Sequence, residues 1–163
     1  MVVIIAIIDP SSEEPHPVNA KEGVVGVAEM DIKDYAAYLV KEVAGKNTNN
    51  GKETFVASSG TADYLAIDIN ASDNLTPGLQ KTSMLVDSID VFKKAFAERP
   101  DINSLKLVWY LDLVDQKGNE STGVVMRVRV TRGNATTINW DNVLMDNLPK
   151  IADEYWEHPL YSK

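Results

Sequence analysis

The two histidines are the first candidates for chemistry, because imidazole is the side chain that titrates nearest to neutral pH. His16 lies between two prolines in a polar tract, and His158 precedes Pro159 close to the end of the sequence. A general base needs a fixed partner and a shielded site, and neither position predicts one. The two histidines are not at metal-ligand spacing, and no HExxH motif occurs. We therefore predict no catalytic residue and no metal site.

Carboxylates could perform glycoside hydrolysis, which needs two acids that flank a cleft. Asp87 and Asp90 are three residues apart, and Asp153, Glu154 and Glu157 form a second acidic group. Both groups fall in predicted helices, where acidic side chains are mostly solvated. The phosphate-binding motifs GxGxxG and GxxxxGK(S/T) do not occur, so the sequence predicts no cofactor.

Aromatic side chains are a stronger indication of binding. Trp140, Tyr155 and Trp156 lie in the last quarter of the chain. They could stack on a sugar or hold an apolar anchor of a partner. The alternative is that Trp140 and Trp156 pack the last helix onto the sheet, because large aromatic residues dominate core packing.

The balance of charge excludes some partners. The 163 residues include 24 Asp and Glu against 16 Lys and Arg, which gives a net charge of −8. Such a chain repels a phosphate backbone, so we expect no nucleic-acid partner. The sequence contains no cysteine, which is compatible both with a cytoplasmic protein and with a bacterial extracytoplasmic domain.

Apolar periodicity predicts the helices. The spacing over residues 31–43 is that of one helix face, with Asp31 as N-cap and Gly45 as the stop. A long helix begins at Thr76-Pro77 and ends at Arg99-Pro100, and its predicted buried stripe includes Leu79 and Val86. A last helix is predicted to follow the break at residues 147–149 and to continue to about Trp156.

Alternation predicts two β-hairpins. Residues 53–58 and 63–71 form the first, and residues 105–114 and 124–130 form the second, with turn residues at 116–119. Placing both apolar sets of the second hairpin on one face sets Trp109 opposite Met126. The same register predicts three further pairs: Leu107 with Val128, Val108 with Arg127, and Lys106 with Arg129.

The polar face of this second hairpin is another candidate binding surface. It carries Tyr110, Arg127 and Arg129 together with valines, a mixture that suits contact with a partner.

We predict an α+β fold with two layers. An antiparallel four-stranded sheet of two hairpins would be covered on one face by helices, in the order α-β-β-α-β-β-α, because each hairpin has a single apolar face. A conical sheet wrapped around a helix is the competing architecture, and it would enclose a pocket.

Residues 1–20 are predicted to lie outside the fold, with residues 21–163 forming a single domain. Met1 to Ile8 are apolar but too few to cross a bilayer, which takes about 20 residues. An acidic, proline-bearing tract follows them. We interpret the two segments as the remnant of a membrane anchor and its tether. The alternative is an edge strand, since Val and Ile favour strands.

Two segments resemble parts of membrane-anchored extracytoplasmic domains of Gram-positive bacteria. Residues 1–14, MVVIIAIIDPSSEE, resemble the transition from anchor to linker, and residues 147–159, NLPKIADEYWEHP, resemble the tail of such domains. The lipoprotein form of these anchors needs a cysteine, so only the anchored form fits. The resemblance implies a location at the cell surface and carries over no functional residue.

Together these observations predict a non-catalytic, extracytoplasmic binding or interaction domain of a bacterial surface protein. The expected partner is a protein or a cell-surface ligand, and the only expected link to a membrane is the N-terminal anchor. Two alternatives stay open. One is a small hydrolase or ligand-binding protein with a pocket in a conical sheet, and the other is a cytoplasmic structural protein.

Overall fold

The computed structural model describes residues 26–161, which form four α-helices and one five-stranded sheet. In chain order the elements are α1 (Ile32–Ala44), β1 (Phe55–Gly60), β2 (Leu65–Asn70), α2 (Pro77–Glu98), β3 (Ser104–Val114), β4 (Glu120–Thr131), α3 (Arg132–Ala135), α4 (Leu148–Ile151) and β5 (Glu154–Glu157). Short 3₁₀ helices cover Met145–Asn147 and Pro159–Tyr161. The predicted anchor remnant and tether, residues 1–20, lie outside the described residues.

The ends of the two long helices confirm the predicted caps. Asp31 accepts a hydrogen bond from the backbone N–H of Lys33 at 2.9 Å, and Gly45 ends α1 with a φ of 81°. That backbone conformation favours glycine, because side chains with a Cβ are strained there. The hydroxyl of Thr76 caps α2, with proline at the first helical position.

The inward face of α2 differs from the predicted stripe. Leu79 and Val86 are 53 % and 41 % exposed, whereas Ser88 is fully buried. The Ser88 hydroxyl donates to the carbonyl of Met84 at 2.6 Å and accepts from the indole N–H of Trp109 at 3.0 Å. These hydrogen bonds permit a polar residue to face inward. The predicted stripe is wrong at Leu79 and Val86 because the buried face of α2 follows the helical spacing of Met84 and Ser88.

The sheet has five strands in the order β1-β2-β3-β4-β5, so the predicted four-stranded antiparallel sheet is wrong. β2 and β3 are parallel, and the other neighbours are antiparallel. The cause is the connection between the hairpins. At about 1.5 Å per residue, the 22 residues of α2 return the chain along the sheet, so that β3 begins at the same end as β2. The α+β class itself is confirmed.

The fifth strand takes the place of most of the predicted last helix. Only Leu148–Ile151 is α-helical in that segment, and Glu154–Glu157 pairs with β4. Asp153 fixes the junction: its backbone N–H donates to the carbonyl of Arg129 at 2.9 Å, and its carboxylate accepts from the N–H of Thr131 at 2.7 Å. The chain therefore ends in a strand that the predicted order α-β-β-α-β-β-α does not contain.

The four predicted pairs of the second hairpin, from Lys106 to Trp109, are confirmed. Trp109 pairs with Met126, and Val108 pairs with Arg127. A β-bulge follows, because Tyr110 pairs with Val124 and the ladder shifts by one residue. A second register shift lies in β1, between Phe55 and Ala57.

The hydrophobic core lies between the apolar face of the sheet and helices α1 and α2. Its largest buried side chain is Trp109, and Tyr35 and Phe92 contribute from the two helices. The opposite face of the sheet keeps Arg127 and Trp156 exposed. We call this opposite face the open face.

Asp87 in α2 links stability to pH. Burial, and secondly the charge of Asp90, raise the pKa of Asp87 to about 6. Because the folded state binds the proton more tightly, stability is greatest below the ordinary carboxyl pKa and falls as the pH rises to about 6. We expect Asp87→Asn to raise the free energy of unfolding by about 1–2 kcal/mol at about pH 7, and to change it little at about pH 4. Urea denaturation at both pH values measures this difference.

Asp90→Asn is the control for this prediction. It removes only the smaller of the two causes, so it should stabilise the fold less than Asp87→Asn does. An equal gain in stability from Asp87→Asn at both pH values would contradict titration of Asp87 as the cause.

Candidate functional site

The open face brings the side chains of four strands into two adjacent rows. Strand pairing places Asp68, Val108, Arg127 and Trp156 side by side across β2, β3, β4 and β5. The next row contains Ala66, Lys106, Arg129 and Glu154. Tyr110 extends the surface by one position along β3. Because paired residues point to the same side of a sheet, these side chains form one continuous surface.

Arg127 and Trp156 form the centre of this surface. The guanidinium carbon of Arg127 lies 4.9 Å from the centre of the Trp156 ring, which is a cation–π contact. Arg127 is exposed, and Trp156 is 40 % exposed. Within residues 26–161, Arg127 forms no salt bridge. Its N–H groups are therefore available to an acceptor from outside the domain.

The charged side chains of the second row pair with one another. Nε of Arg129 lies 3.0 Å from one carboxylate oxygen of Glu154, outside hydrogen-bond geometry, and Nζ of Lys106 lies 3.5 Å from the other oxygen. Burial opposes ionisation of Glu154, but the two cations outweigh it and lower the pKa of Glu154. Lys106 and Arg129 thus share one carboxylate, whereas Arg127 pairs with no carboxylate of the described part of the chain.

Asp68 lies at the far end of the Arg127 row, next to Val108. Burial raises the pKa of Asp68, and its carboxylate forms no hydrogen bond within the described residues. Val108, between Asp68 and Arg127, is only 9 % exposed. The row therefore has an acidic end, an apolar middle and a cationic-aromatic end.

The other two predicted binding residues lie elsewhere. Trp140 is half-buried, with its ring centre 6.0 Å from that of Phe92 and its indole N–H donating to the carbonyl of Ala135 at 3.1 Å. Tyr155 pairs with Val128, whose side chain belongs to the core, so Tyr155 faces the helix layer. Trp140 thus contacts α2 and α3, and Trp156 lies in a strand, so neither residue packs a last helix onto the sheet as the alternative expected.

His158 lines a separate surface pocket of about 410 Å³, together with Asp73 and Asp112. Its Nδ1 accepts the backbone N–H of Leu160 at 3.2 Å. In the neutral imidazole the proton is therefore on Nε2, which cannot act as a base. The carboxylate of Asp112 is paired with Lys52 at 2.5 Å. The residue types of this pocket suit acid–base chemistry. However, Nδ1 of His158 and the carboxylate of Asp112, which would act as bases, already have partners.

Two further properties concern the whole described part of the chain. No group of three or more His, Asp or Glu side chains within residues 26–161 is arranged to hold a metal ion. Among the same residues, every helix is too short or too polar to cross a bilayer.

Sequence reasoning identified Tyr110, Arg127 and Arg129 as one surface but assigned Trp156 to another. Only the pairing of β5 with β4 unites them. The signal for β5 is weak, because four residues are too few to show alternation clearly. The participation of Asp68 was missed for a related reason, since it depends on the parallel pairing of β2 with β3.

No protein-family model matches this chain, and neither curated proteins nor solved structures show significant similarity to it.

Proposed function

We propose that this chain is a non-catalytic binding domain and that the open face is its binding surface, with an acidic segment of another protein as the partner. The observation that carries the proposal is the Arg127–Trp156 pair. It presents an exposed guanidinium that forms no salt bridge within residues 26–161 and that lies against an exposed ring.

The charges of the domain favour an acidic partner at this face. The whole chain carries a net charge of −8, yet the two rows of the open face contain three cations and two carboxylates. One of these carboxylates, Glu154, is already shared by two of the cations. The free positive charge is therefore at Arg127, and the acidic surroundings orient an acidic partner towards it.

The chemistry of Arg127 and Trp156 specifies what can bind. A guanidinium presents planar pairs of N–H donors that match the two oxygens of a carboxylate. The neighbouring ring of Trp156 supplies apolar area beside it. Arg and Trp are also the residues that most often dominate binding at protein interfaces. A carboxylate flanked by an apolar side chain is the chemistry that this arrangement fits.

Selection of displayed random peptides on the folded domain tests this proposal. We expect the enriched peptides to contain Asp or Glu beside an apolar residue. Arg127→Gln and Trp156→Ala should each weaken the binding of such a peptide by about tenfold, measured by fluorescence anisotropy, because each removes one half of the recognition pair. Added salt should weaken binding by the wild type more than binding by Arg127→Gln.

Lys33→Gln is the matched control, since it removes an exposed positive charge from α1. It should change the affinity less than about twofold. Enriched peptides without acidic residues, or peptides that bind Arg127→Gln and Trp156→Ala as tightly as the wild type, would overturn the proposal. A library that yields no binder would do the same.

The cell-surface location is part of the same proposal. Its support is the apolar start and acidic tract of residues 1–20, together with the resemblance of two segments to anchored Gram-positive domains. It stays a prediction, because residues 1–20 lie outside the described residues.

Hydrolysis is the second candidate function, and the observation that favours it is the position of His158 in a pocket. The pocket beside β3 combines this histidine with two carboxylates. The Nδ1 acceptor role of His158 and the Lys52–Asp112 pair leave it without a free general base, so the geometry supports binding better than catalysis.

A further inference from the structure

A second concave site lies on the helix side of the molecule, where the chain passes from α3 to α4. Four asparagines line it, Asn134, Asn139, Asn142 and Asn147, and Ile138 and Ile151 contribute apolar surface. Its volume is about 400 Å³, within the range of small-molecule sites. We call it the amide pocket. None of the residues 26–161 that line it carries a charge.

The four asparagines of the amide pocket differ in whether their side chains form hydrogen bonds. The amide of Asn134 donates to the carbonyl of Ile151 at 2.6 Å, and the side-chain oxygen of Asn139 accepts the N–H of Asp141 at 3.2 Å. Within the described residues, the side chains of Asn142 and Asn147 form no hydrogen bond. Asn147 occupies the N-cap position of α4 without capping it. Two of the asparagines that line the pocket thus have side-chain amides that form no hydrogen bond within residues 26–161.

A neighbouring hollow of about 410 Å³ extends the site past Ile138 and Asn139, which line both. Trp140 lines this second hollow, where its indole N–H is fixed by the carbonyl of Ala135. Three charged residues line the hollow: Lys93 and Asp141 form a salt bridge at 2.6 Å, and the guanidinium of Arg132 donates to backbone carbonyls. The two concavities together offer free amides, aliphatic surface and one indole ring, and Arg132 is the charged residue of their lining that forms no salt bridge within residues 26–161.

We propose that the amide pocket, with Trp140 beside it, binds a neutral, hydroxyl-rich ligand such as a short oligosaccharide. A side-chain amide carries a donor and an acceptor next to each other, which matches a pair of adjacent hydroxyl groups. The C–H face of a sugar ring packs on aliphatic or aromatic surface, which the isoleucines and Trp140 supply. The site is distinct from the open face and does not depend on the function proposed for that face.

An uncharged lining disfavours anionic and cationic ligands, because such ligands would lose their hydration without gaining an ionic partner. A peptide could also hydrogen-bond to amides. Peptide recognition in extended form generally uses a strand edge or a Pro-rich groove, and the residues that line the amide pocket belong to helices and turns. The geometry therefore favours a saccharide over a peptide.

Titration of the ¹⁵N-labelled domain with maltotriose, cellotriose and tri-N-acetylchitotriose tests this proposal. We expect at least one trisaccharide to shift the side-chain NH₂ signals of Asn142 and Asn147 and to change tryptophan fluorescence. The double variant Asn142→Ala/Asn147→Ala should bind that sugar about tenfold more weakly, because two hydrogen-bonding groups are lost. The fluorescence change should persist in Trp156→Phe and disappear in Trp140→Phe.

Asn74→Ala is the matched control. The side chain of Asn74 also forms no hydrogen bond within the described residues. Asn74 precedes the start of α2, whereas the hollow beside Trp140 lies near the end of that helix. Its affinity should equal that of the wild type. An uncharged Gly-Ser hexapeptide should not bind. If no trisaccharide shifts the two NH₂ signals at millimolar concentration, or if only the peptide does, the proposal is wrong.

Discussion

Trp109→Ala is expected to lower the free energy of unfolding by about 3–5 kcal/mol, the cost of emptying a large aromatic site in a core. Trp109 is 1 % exposed and is the largest fully buried side chain of the described part of the chain. Its removal would leave a cavity between β3 and α2. It would also remove the hydrogen bond that Ser88 accepts at 3.0 Å, although the Ser88 hydroxyl would still donate to Met84.

Urea denaturation followed by circular dichroism measures this effect, and Trp156→Ala is the matched control. The same substitution at Trp156 removes a ring that is 40 % exposed, so it should cost clearly less than Trp109→Ala does. Similar losses for the two variants would contradict the placement of Trp109 in the core. Ser88→Ala should cost an intermediate amount, because it leaves a buried indole N–H without a partner.

Arg99→Ala is expected to lower the free energy of unfolding by about 2–3 kcal/mol, because hydrogen bonds to a charged group are among the strongest in proteins. Arg99 is 5 % exposed at the end of α2. Its guanidinium donates to both carboxylate oxygens of Asp101 at 2.8 and 2.7 Å, and to the carbonyl of Met30 at 3.0 Å. It also lies 5.0 Å from the ring centre of Tyr35. One side chain thus joins three separate parts of the chain.

Asp101→Asn separates the ion pair from the other contacts of Arg99. The Asp101 side chain is 48 % exposed, so loss of its charge should cost only about 1 kcal/mol or less. Hydrogen exchange gives a second measurement: Arg99→Ala should speed exchange of the N–H of Glu29, which donates to Gly26 in the turn that Arg99 holds. Equal destabilisation by the two variants would show that the ion pair, and not the carbonyl contacts, accounts for the effect.

Features of the fold that depend on local spacing could be predicted from the sequence. The cap residues Asp31 and Thr76 are visible because a helix start needs side-chain acceptors at fixed positions. The pairing of Trp109 with Met126 follows from strict alternation and a short turn. Both arguments use residues that are close in sequence or share one periodic pattern.

Features that depend on contacts between distant segments could not be predicted in this way. Two amphipathic hairpins joined by a helix can be arranged in parallel or antiparallel fashion without any change in their own patterns. β5 exists because Asp153 and the strand after it bond to β4, and its four residues carry no clear period. The bulge after Trp109 is likewise invisible in the alternation that precedes it.

The candidate site shows the same division. Tyr110, Arg127 and Arg129 share a face by alternation alone, so the sequence places them together. Trp156 joins Arg127 only through β5, which makes the cation–π pair at the centre of the site a consequence of tertiary structure. The residue types indicated from the sequence which side chains could bind. Only the pairing of distant strands shows which of these side chains lie next to each other.

The two outer strands limit self-association of the sheet. An unpaired strand edge is a template for another chain, and proteins discourage such pairing with short, charged or irregular edges. β5 has four residues and carries Glu154 and Glu157 at its ends. On the other side, the register shift between Phe55 and Ala57 breaks the regular spacing of β1. Within residues 26–161 neither edge of the sheet is both long and regular, which disfavours pairing with a second copy.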